Sequence, residues 1–464
     1  MADMINLAKN WAKVPRSSKI VYMKARYRYS LIALGFAIFF TISPMIVIFV
    51  SGYRYDFTNK HFVKTGAISI KTDPSKATVT INGKVSGKTP DSARFLLPGE
   101  YDVSVSKTGY FTWSKKMTVS PQNVTVANYG YNAIDLLYSK TINTDIQNGV
   151  NSFFAGDKRV IYVNSGKIYT SDINNLQKSS FLDLPEELQT PKIIASTDEN
   201  YFLLQDPNNN INASIFSIPD NKIFDLKNLL SGVKEINLQF GNNGNLYAVE
   251  NGNFFQLDWR NGKIIPIIQN GGIKCITFHD NNIYALAADN SKTPSESEVI
   301  ENINTSSNQA TILYSGLTNW QNSEITFNKL NQIGILGDGN LYILLNSKTQ
   351  EVQQYVVSMN ALNGSSQIMY ATNNELGLVD LNNGNIQLIT RLSKQISSPA
   401  ISLETGWAYY ISDGNLNAIE LDRDYGQNIY QITQTSNGAT FTLDSAGKYI
   451  YLLDSGNLKR LQIR

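Results

Sequence analysis

The stretch VIYVNSGKIYTSDI, residues 160–173, carries a pattern that recurs along most of the chain. An apolar run that includes Tyr162 is followed by a Ser-Gly turn and then by a second segment in which apolar and polar residues alternate. This pattern is typical of two short strands joined by a hairpin. Similar stretches begin further along the chain, at Tyr201, Leu246, Ile283, Leu341, Ile368, Ala408 and Tyr449. Most neighbouring copies start about 40 residues apart, although the register blurs between Ile283 and Ile368.

A repeat of about 40–45 residues built from short strands predicts the four-stranded blades of a β-propeller. Each blade packs between two neighbours, so its strands need apolar side chains on both faces and its turns are rich in Asn and Gly, as here. We expect the propeller to occupy residues 138–464 and to have seven blades, with eight as the alternative. A stacked β-solenoid and a pair of sandwiches are the other folds that this repeat allows.

The last repeat predicts how the ring closes. It reaches Arg464 after only its second or third strand, which would leave an unpaired sheet edge. A strand from the other end of the propeller sequence can fill that position. We expect the segment 133–138 (AIDLLY), or the stretch just after it, to do so.

A second feature is an apolar segment near the N-terminus. Residues 31–50, LIALGFAIFFTISPMIVIFV, contain no charged side chain, and as a helix they would be about 30 Å long, the thickness of a bilayer's hydrocarbon core. We therefore predict a membrane-spanning helix over residues 30–52. Seven Lys or Arg and one acidic residue lie within residues 1–30, which places the tail of residues 1–29 in the cytoplasm and the bulk of the chain outside.

This segment has two other possible interpretations, a cleaved signal peptide and a buried core helix. A cleaved signal peptide is disfavoured because Val50-Ser51-Gly52 is a poor cleavage site and the apolar core is long for such a peptide. A buried core helix would need a helical protein around it, whereas the rest of the sequence predicts β-structure. The expected location is therefore the cell membrane, with a single uncleaved span.

A small β-module follows a linker of residues 53–64. The runs TDPSKATVTINGKVSGKTP (72–90) and LPGEYDVSVSKTGY (97–110) alternate apolar and polar residues between turns, and Asn82-Gly83 is a strong hairpin signal. These runs resemble the PEGA domain, whose signature position here is formed by Pro98, Gly99, Glu100 and Tyr101. We assign the module to residues 65–137.

The resemblance implies a small β-sandwich of the kind attached to exported or surface proteins, often beside a membrane helix. It gives the four signature residues a structural role and implies no catalysis. The order of basic tail, span, PEGA module and β-repeat body also resembles membrane-anchored PEGA proteins of small-genome bacteria. The segments DWRNGKIIPI (258–267) and DLNNGNIQLI (380–389) resemble outer hairpins of quinoprotein-like propellers, which supports the fold and says little about a cofactor.

Candidate catalytic chemistry is sparse. The sequence has two histidines, His61 and His279, one cysteine, Cys275, and no Gly-x-Ser-x-Gly elbow. The stretch DPNNNINAS, which begins at Asp206, starts like a calcium-binding EF-hand loop but lacks the Gly and Glu that such a loop requires. We therefore predict no catalytic, cofactor-binding or metal-binding residue and no cofactor. Residues 31–464 carry 33 basic and 37 acidic side chains without a basic stripe, which argues against nucleic acid as a partner.

One polar segment interrupts the repeat. Residues 288–310 include Glu296, Glu298 and Glu301, and we expect them to project as a long loop. Such a loop is a candidate for contacting a partner, although an insertion without function fits the same composition.

The sequence favours a non-enzymatic, membrane-anchored scaffold that binds an envelope protein or glycan through a propeller face. The alternatives are a propeller enzyme, either a quinoprotein-like oxidoreductase or an extracellular hydrolase, and a structural component of the cell envelope.

Overall fold

The computed structural model describes residues 25–127, 130–233, 236–241, 244–289, 297–328, 330–362 and 365–464. These residues form one helix and 42 strands, which confirms the predicted mainly-β class. The chain divides into two compact units. The first takes the chain up to Ile68 together with Ala93–Gly99 and Thr118–Thr125, and the second comprises Ser69–Ser92, Glu100–Met117 and Val126–Arg464. Most of the predicted cytoplasmic tail lies outside the described residues.

The first unit contains helix α1, Ala25–Val50. Its segment Tyr29–Val50 is long and apolar enough to cross a membrane, and none of the most apolar part of this segment is buried. A hairpin of strands β1 (Tyr53–Asp56) and β2 (His61–Lys64) follows, with Tyr53 opposite Lys64. The predicted apolar helix is therefore present and leads directly into a short β-hairpin.

The next nine strands form the small module. They are β3 Gly66–Ile70, β4 Thr72–Asp73, β5 Thr78–Ile81, β6 Lys84–Lys88, β7 Asp91–Leu96, β8 Gly99–Ser106, β9 Trp113–Val119, β10 Val124–Val126 and β11 Ile134–Asp135. Their sheets have the orders β10-β3-β7, β6-β5-β8-β9 and, in parallel, β11-β4. Asn82 and Gly83 have φ values of 48° and 75° and join β5 to β6, so the predicted hairpin turn is confirmed.

Strands β12 to β42 build the repeat body in seven sheets. Five of these sheets have four strands that follow one another in sequence. Two precede the centre of the body: β13 Val150–Ala155, β14 Arg159–Asn164, β15 Lys167–Asp172 and β16 Asn175–Asp183, and then β17 Lys192–Ala195, β18 Tyr201–Asp206, β19 Asn209–Ser217 and β20 Lys222–Asp225. Three follow later in the chain: β28 Ser323–Phe327, β29 Ile333–Gly337, β30 Asn340–Leu345 and β31 Lys348–Gln353; β32 Val356–Ala361, β33 Gln367–Thr372, β34 Glu375–Asp380 and β35 Ile386–Arg391; and β36 Ser397–Ser402, β37 Trp407–Ser412, β38 Asn415–Glu420 and β39 Ile429–Gln434.

One further sheet has seven strands. They are β21 Asn237–Phe240, β22 Leu246–Glu250, β23 Gly252–Asp258, β24 Lys263–His279, β25 Asn282–Ala288, β26 Ser297–Asn304 and β27 Gln309–Thr318. The 17-residue strand β24 pairs with β23 through its first half and with β25 through its second half. This sheet therefore contains two blade-like halves that share one strand. Divided at β24, the body has eight four-stranded parts, and the choice between seven and eight blades stays a prediction.

The remaining sheet closes the ring. Strands β40 Thr440–Leu443, β41 Tyr449–Asp454 and β42 Asn457–Gln462 are completed by β12, Ile142–Asn148, which pairs antiparallel with β42. The strand that completes the last blade thus comes from the stretch just after residues 133–138, as expected. Residues buried from β13, β14, β41 and β42 form one apolar cluster, so the first and last blades pack together.

The repeat body holds its core between blades. The central strands are almost fully buried, with every residue of β37 (Trp407–Ser412) buried. This explains the apolar residues on both faces of these strands, because each blade packs against two neighbours. Together, the sheet order, the clusters and the closing strand give the propeller that the repeat predicted.

Within the second unit, the β9 strand of the small module packs against the propeller strand β38. The Lys115 ammonium lies 3.3 Å from a Glu420 carboxylate oxygen and 3.0 Å from an Asp422 carboxylate oxygen. Only 1% of the Lys115 side chain is exposed. The Trp113 indole N–H donates to Glu420 Oε1 at 3.0 Å, and the Asn428 amide donates to Glu420 Oε2 at 2.8 Å. The buried cation therefore has two anionic partners.

Aromatic stacking extends this contact. The Phe111 and Tyr430 rings are stacked with centroids 4.5 Å apart and an interplanar angle of 2°. The Tyr430 hydroxyl donates to the Thr112 carbonyl at 3.0 Å. The Trp407 indole N–H donates to the Asp135 carbonyl at 2.9 Å. This part of the module and the last blades therefore form one packed structure.

The core between blades predicts a large cost for shortening Ile450, which is fully buried in β41. We expect Ile450→Ala to lower the free energy of unfolding by about 2–5 kcal/mol, because it removes apolar contacts and leaves a cavity. The matched control is Ile429→Ala on β39, where the side chain is 56% exposed; its expected cost is below about 1 kcal/mol. Urea unfolding of the detergent-solubilised full chain measures both, and equal midpoints would contradict the packing.

The buried cation predicts an asymmetry between two adjacent lysines. We expect Lys115→Met to cost about 3–5 kcal/mol, because it leaves the Glu420 and Asp422 carboxylates without their cation. Lys116 is exposed on the same strand, and Lys116→Met should stay within about 0.5 kcal/mol of the parent chain. The same unfolding assay compares the two variants. A Lys115→Met chain as stable as Lys116→Met would show that the ion pairs do not hold the module.

Candidate functional site

The propeller provides a channel where its inner strands converge. The first strands of neighbouring sheets contact each other, as in the pairs β13–β17, β28–β32 and β36–β40, and β24 contacts β28 in the same way. These strands therefore surround the propeller axis. Loops and strand ends of several blades meet there, which makes the mouth of the channel the natural place to look for a binding site.

An open cavity of about 600 Å³ is lined by residues of β21, the second half of β24, the start of β28, β29 and the start of β32. Its lining is mostly polar and includes side-chain amides, hydroxyls, one ammonium and one carboxylate: Asn237, Gln239, Lys274, Thr277, Gln321, Asn322, Ser323 and Glu324. The volume lies within the range of small-molecule sites. Such a lining both donates and accepts hydrogen bonds, so it suits a ligand rich in amide or hydroxyl groups.

Lys274 links the wall of this cavity to its rim, which is the segment of residues 319–322 that precedes β28. Its ammonium donates to Glu298 Oε1 at 2.5 Å, to Asn319 Oδ1 at 2.7 Å and to the Trp320 carbonyl. The Trp320 backbone N–H donates to the same Glu298 oxygen at 2.9 Å. The Glu298 side chain is fully buried, and this burial raises the pKa of its carboxyl, although the hydrogen bond from Lys274 opposes the shift. These contacts fix the segment that precedes β28.

The expectation of a long loop over residues 288–310 is wrong for one described part of it. Ser297–Asn304 is strand β26, and it pairs with β25 so that Ala288 lies opposite Glu298. Glu298 is therefore a buried residue that holds the segment before β28 in place, and it is not an exposed contact residue. Burial also raises the pKa of Glu301 in the same strand, while Glu296 lies outside the described residues. The alternating apolar residues Val299 and Ile303 were the signal for a strand.

The two histidines and the cysteine are not brought together into a site. His279 lies at the end of β24, where its Nε2 is 2.6 Å from Asn331 Oδ1 and its ring stacks on Phe327. His61 is exposed in the β1–β2 hairpin. Cys275 borders the cavity but is only 5% exposed, and burial raises the pKa of its thiol to about 12. Across the described residues, no group of three His, Cys, Asp or Glu side chains is placed to hold a metal ion.

The PEGA signature residues lie at the start of β8. Pro98, Gly99 and Glu100 are exposed, and Tyr101 is half-buried. Gly99 opens the strand with a φ of 151°. Their structural role and the proposed segment boundaries stay predictions. Lys115 and Lys274, the two cations that organise this structure, were not recognised in the sequence, because their partners lie far along the chain.

Comparison with known proteins supports the small module. Residues 65–131 match the model of the PEGA domain, which confirms the resemblance drawn from the sequence. No curated protein sequence matches the chain.

Several solved structures are similar to the chain at low identity. A streptogramin B lyase is 11% identical with a TM-score of 0.40, over 70% of this chain and 98% of the lyase. PorZ, an essential bacterial surface component of the type-IX secretion system of Porphyromonas gingivalis, is 12% identical with a TM-score of 0.41, over 69% of this chain and 46% of PorZ. A eukaryotic initiation factor is 9% identical with a TM-score of 0.48, over 71% and 88% of the respective chains.

The burial of Cys275 predicts slow thiol chemistry. With a pKa of about 12 the thiol stays protonated at pH 8, and only the thiolate reacts readily. We expect a maleimide to label the folded chain far more slowly than the urea-unfolded chain, in which the thiol has its ordinary pKa. Mass spectrometry of timed samples measures both rates. Labelling of the folded chain as fast as the unfolded chain would contradict the buried position.

Proposed function

We propose that this protein is a non-enzymatic, membrane-anchored scaffold that binds an envelope protein or polysaccharide through one face of its propeller. In this proposal α1 is retained as a single span, residues 1–29 lie in the cytoplasm and the bulk of the chain lies outside the cell. The observation that carries the proposal is the polar cavity at the inner strands.

The cavity supports recognition of a polymer segment. Its amide and hydroxyl side chains can exchange hydrogen bonds with a peptide backbone or with sugar hydroxyls. The Lys274–Glu298 pair fixes the segment before β28, so part of the rim is preorganised and loses little freedom on binding. Since the cavity is open, a chain longer than the cavity can enter it with its ends in solvent.

Two further observations favour binding over catalysis. The Cys275 thiol beside the cavity is protonated at neutral pH because it is buried, so it is a poor nucleophile. His279 is engaged by Asn331 and stacks on Phe327. A general base needs a free ring nitrogen within reach of a reacting proton, and the cavity lining contains no histidine.

The placement outside the cell rests on the apolar helix and on the PEGA match. The helix segment Tyr29–Val50 suits a membrane anchor, and residues 65–131 match a domain that is typical of exported proteins. The basic N-terminal tail orients the span. Together these features support a propeller that lies outside the cell and is held at the cell membrane by one helix.

Site-specific photo-crosslinking tests this function. We place a photoreactive residue at Asn237, which lines the cavity, and in a second chain at Asn261, an exposed position in the β23–β24 turn. The full-length chain is irradiated in the membranes of the cells that produce it. We expect a covalent adduct with a protein or glycan from Asn237 and none from Asn261, as seen by gel shift and mass spectrometry.

Two other results would contradict the proposed binding function. No adduct from either position, together with turnover of a small molecule by the purified chain, would favour the enzyme alternative. Adducts of equal strength from both positions would indicate nonspecific contact and would remove the cavity as the binding face.

A further inference from the structure

We propose that the β1–β2 hairpin is a second membrane contact, which seats its aromatic side chains in the interfacial layer of an anionic lipid surface beside the end of α1. The hairpin comprises Tyr53–Asp56, a four-residue turn and His61–Lys64. The inference rests on the proposed retention of α1 as a membrane span.

The hairpin carries an exposed aromatic cluster. The Tyr55 ring contacts Phe57 and Phe62, each with a centroid distance of 5.2 Å. Phe57 is 85% exposed and Phe62 is 58% exposed. Three aromatic rings that pack on each other yet face outward cost free energy in water, and side chains of this kind are enriched where membranes meet water.

The hairpin is tied to the end of the helix. The Arg54 guanidinium donates to the Phe49 carbonyl at 2.9 Å, and its central carbon lies 3.6 Å from the centre of the Phe49 ring. The guanidinium carbon also lies 4.1 Å from the centre of the exposed Phe95 ring. Because Arg54 binds the last turn of α1, the hairpin is held close to the point where the apolar span ends.

The turn is also ordered by its own contacts. Asp56 accepts hydrogen bonds from the Thr58 backbone N–H at 2.8 Å and from the Asn59 side-chain amide at 2.8 Å. These bonds hold Phe57 at the tip. An exposed aromatic residue held in place loses less conformational freedom on entering lipid than one on a flexible loop.

The charge of the hairpin selects the surface. Residues 53–64 contain Arg54, Lys60 and Lys64 against Asp56, which gives a formal charge of +2. Basic residues near a membrane favour anionic lipids, and aromatic residues with adjacent basic residues are typical of interfacial segments. A lipid surface is therefore the occupant that explains both the aromatic cluster and the charge, and α1 brings that surface to the hairpin.

Spin-label accessibility in lipid vesicles tests the inference. The full-length chain is reconstituted in vesicles of phosphatidylcholine and phosphatidylglycerol, with a nitroxide at Phe57→Cys or Phe62→Cys. The native chain sets the labelling background of the buried Cys275. Tyr355→Cys is the matched control, because Tyr355 is an aromatic residue that is 80% exposed on the propeller. A label at Phe39→Cys reports on the span itself.

We expect the labels at positions 57 and 62 to collide more often with oxygen, which partitions into lipid, than with a water-soluble nickel complex. The Tyr355→Cys label should show the reverse. Labels at 57 and 62 that match the Tyr355→Cys label, while the Phe39→Cys label reports lipid, would overturn the inference and leave the anchor intact. Water exposure at Phe39→Cys would overturn the anchor as well. Spin–spin broadening at position 57 would indicate a second copy of the chain and would also overturn the lipid contact.

Discussion

The propeller depends on the pairing of Ile142–Asn148 with Asn457–Gln462. This pairing supplies the outermost strand of the last blade, and it brings the first and last blades together around a shared apolar cluster. Each blade has two apolar faces, so an open array would leave one such face exposed at each end. Exposed apolar area costs roughly 25 cal/mol per Å². Closing the ring removes both exposed faces at once.

A second constraint joins part of the PEGA module to this ring. Lys115 is buried between Glu420 and Asp422. Trp113 donates to the same Glu420 oxygen that Lys115 contacts, and Asn428 donates to the other Glu420 oxygen. A buried ion pair adds little net stability over apolar packing, but it penalises every arrangement that separates the charges. This contact therefore specifies one position for β9 against β38.

Local patterns in the sequence predicted the parts of the structure that local interactions determine. The Asn82-Gly83 turn, the repeat of about 40 residues and the closing strand follow from turn chemistry and from alternating side chains. The strand Ser297–Asn304 was missed because its neighbouring polar residues outweighed Val299 and Ile303 in the pattern. The PEGA module was recognised because several turn residues occur together at the spacing of that domain. The number of blades could not be predicted in this way, because strand β24 belongs to two blade-like halves of one sheet and no local pattern distinguishes its two roles.

The ion pairs of Lys274 and Lys115 could not be predicted from local sequence patterns, for a physical reason. Lys274 and Glu298 are 24 positions apart, and Lys115 and Glu420 are 305 apart, so only the folded sheets bring their charges together. A lysine normally faces solvent, and this general preference hid the local signal that Lys115 shares a strand face with the buried residues Trp113, Met117 and Val119. The cavity has the same origin, because it is lined by strands from different parts of the repeat.

The closing strand also imposes an order of events on biosynthesis. Ile142–Asn148 leaves the ribosome long before its partner Asn457–Gln462 is made. Until then β12 has an unsatisfied backbone edge, which is prone to pair with other chains, and contacts of such long sequence separation form slowly. The ring therefore cannot close before Asn457–Gln462 has been synthesised, and the edge of β12 needs protection from other chains until that strand is present.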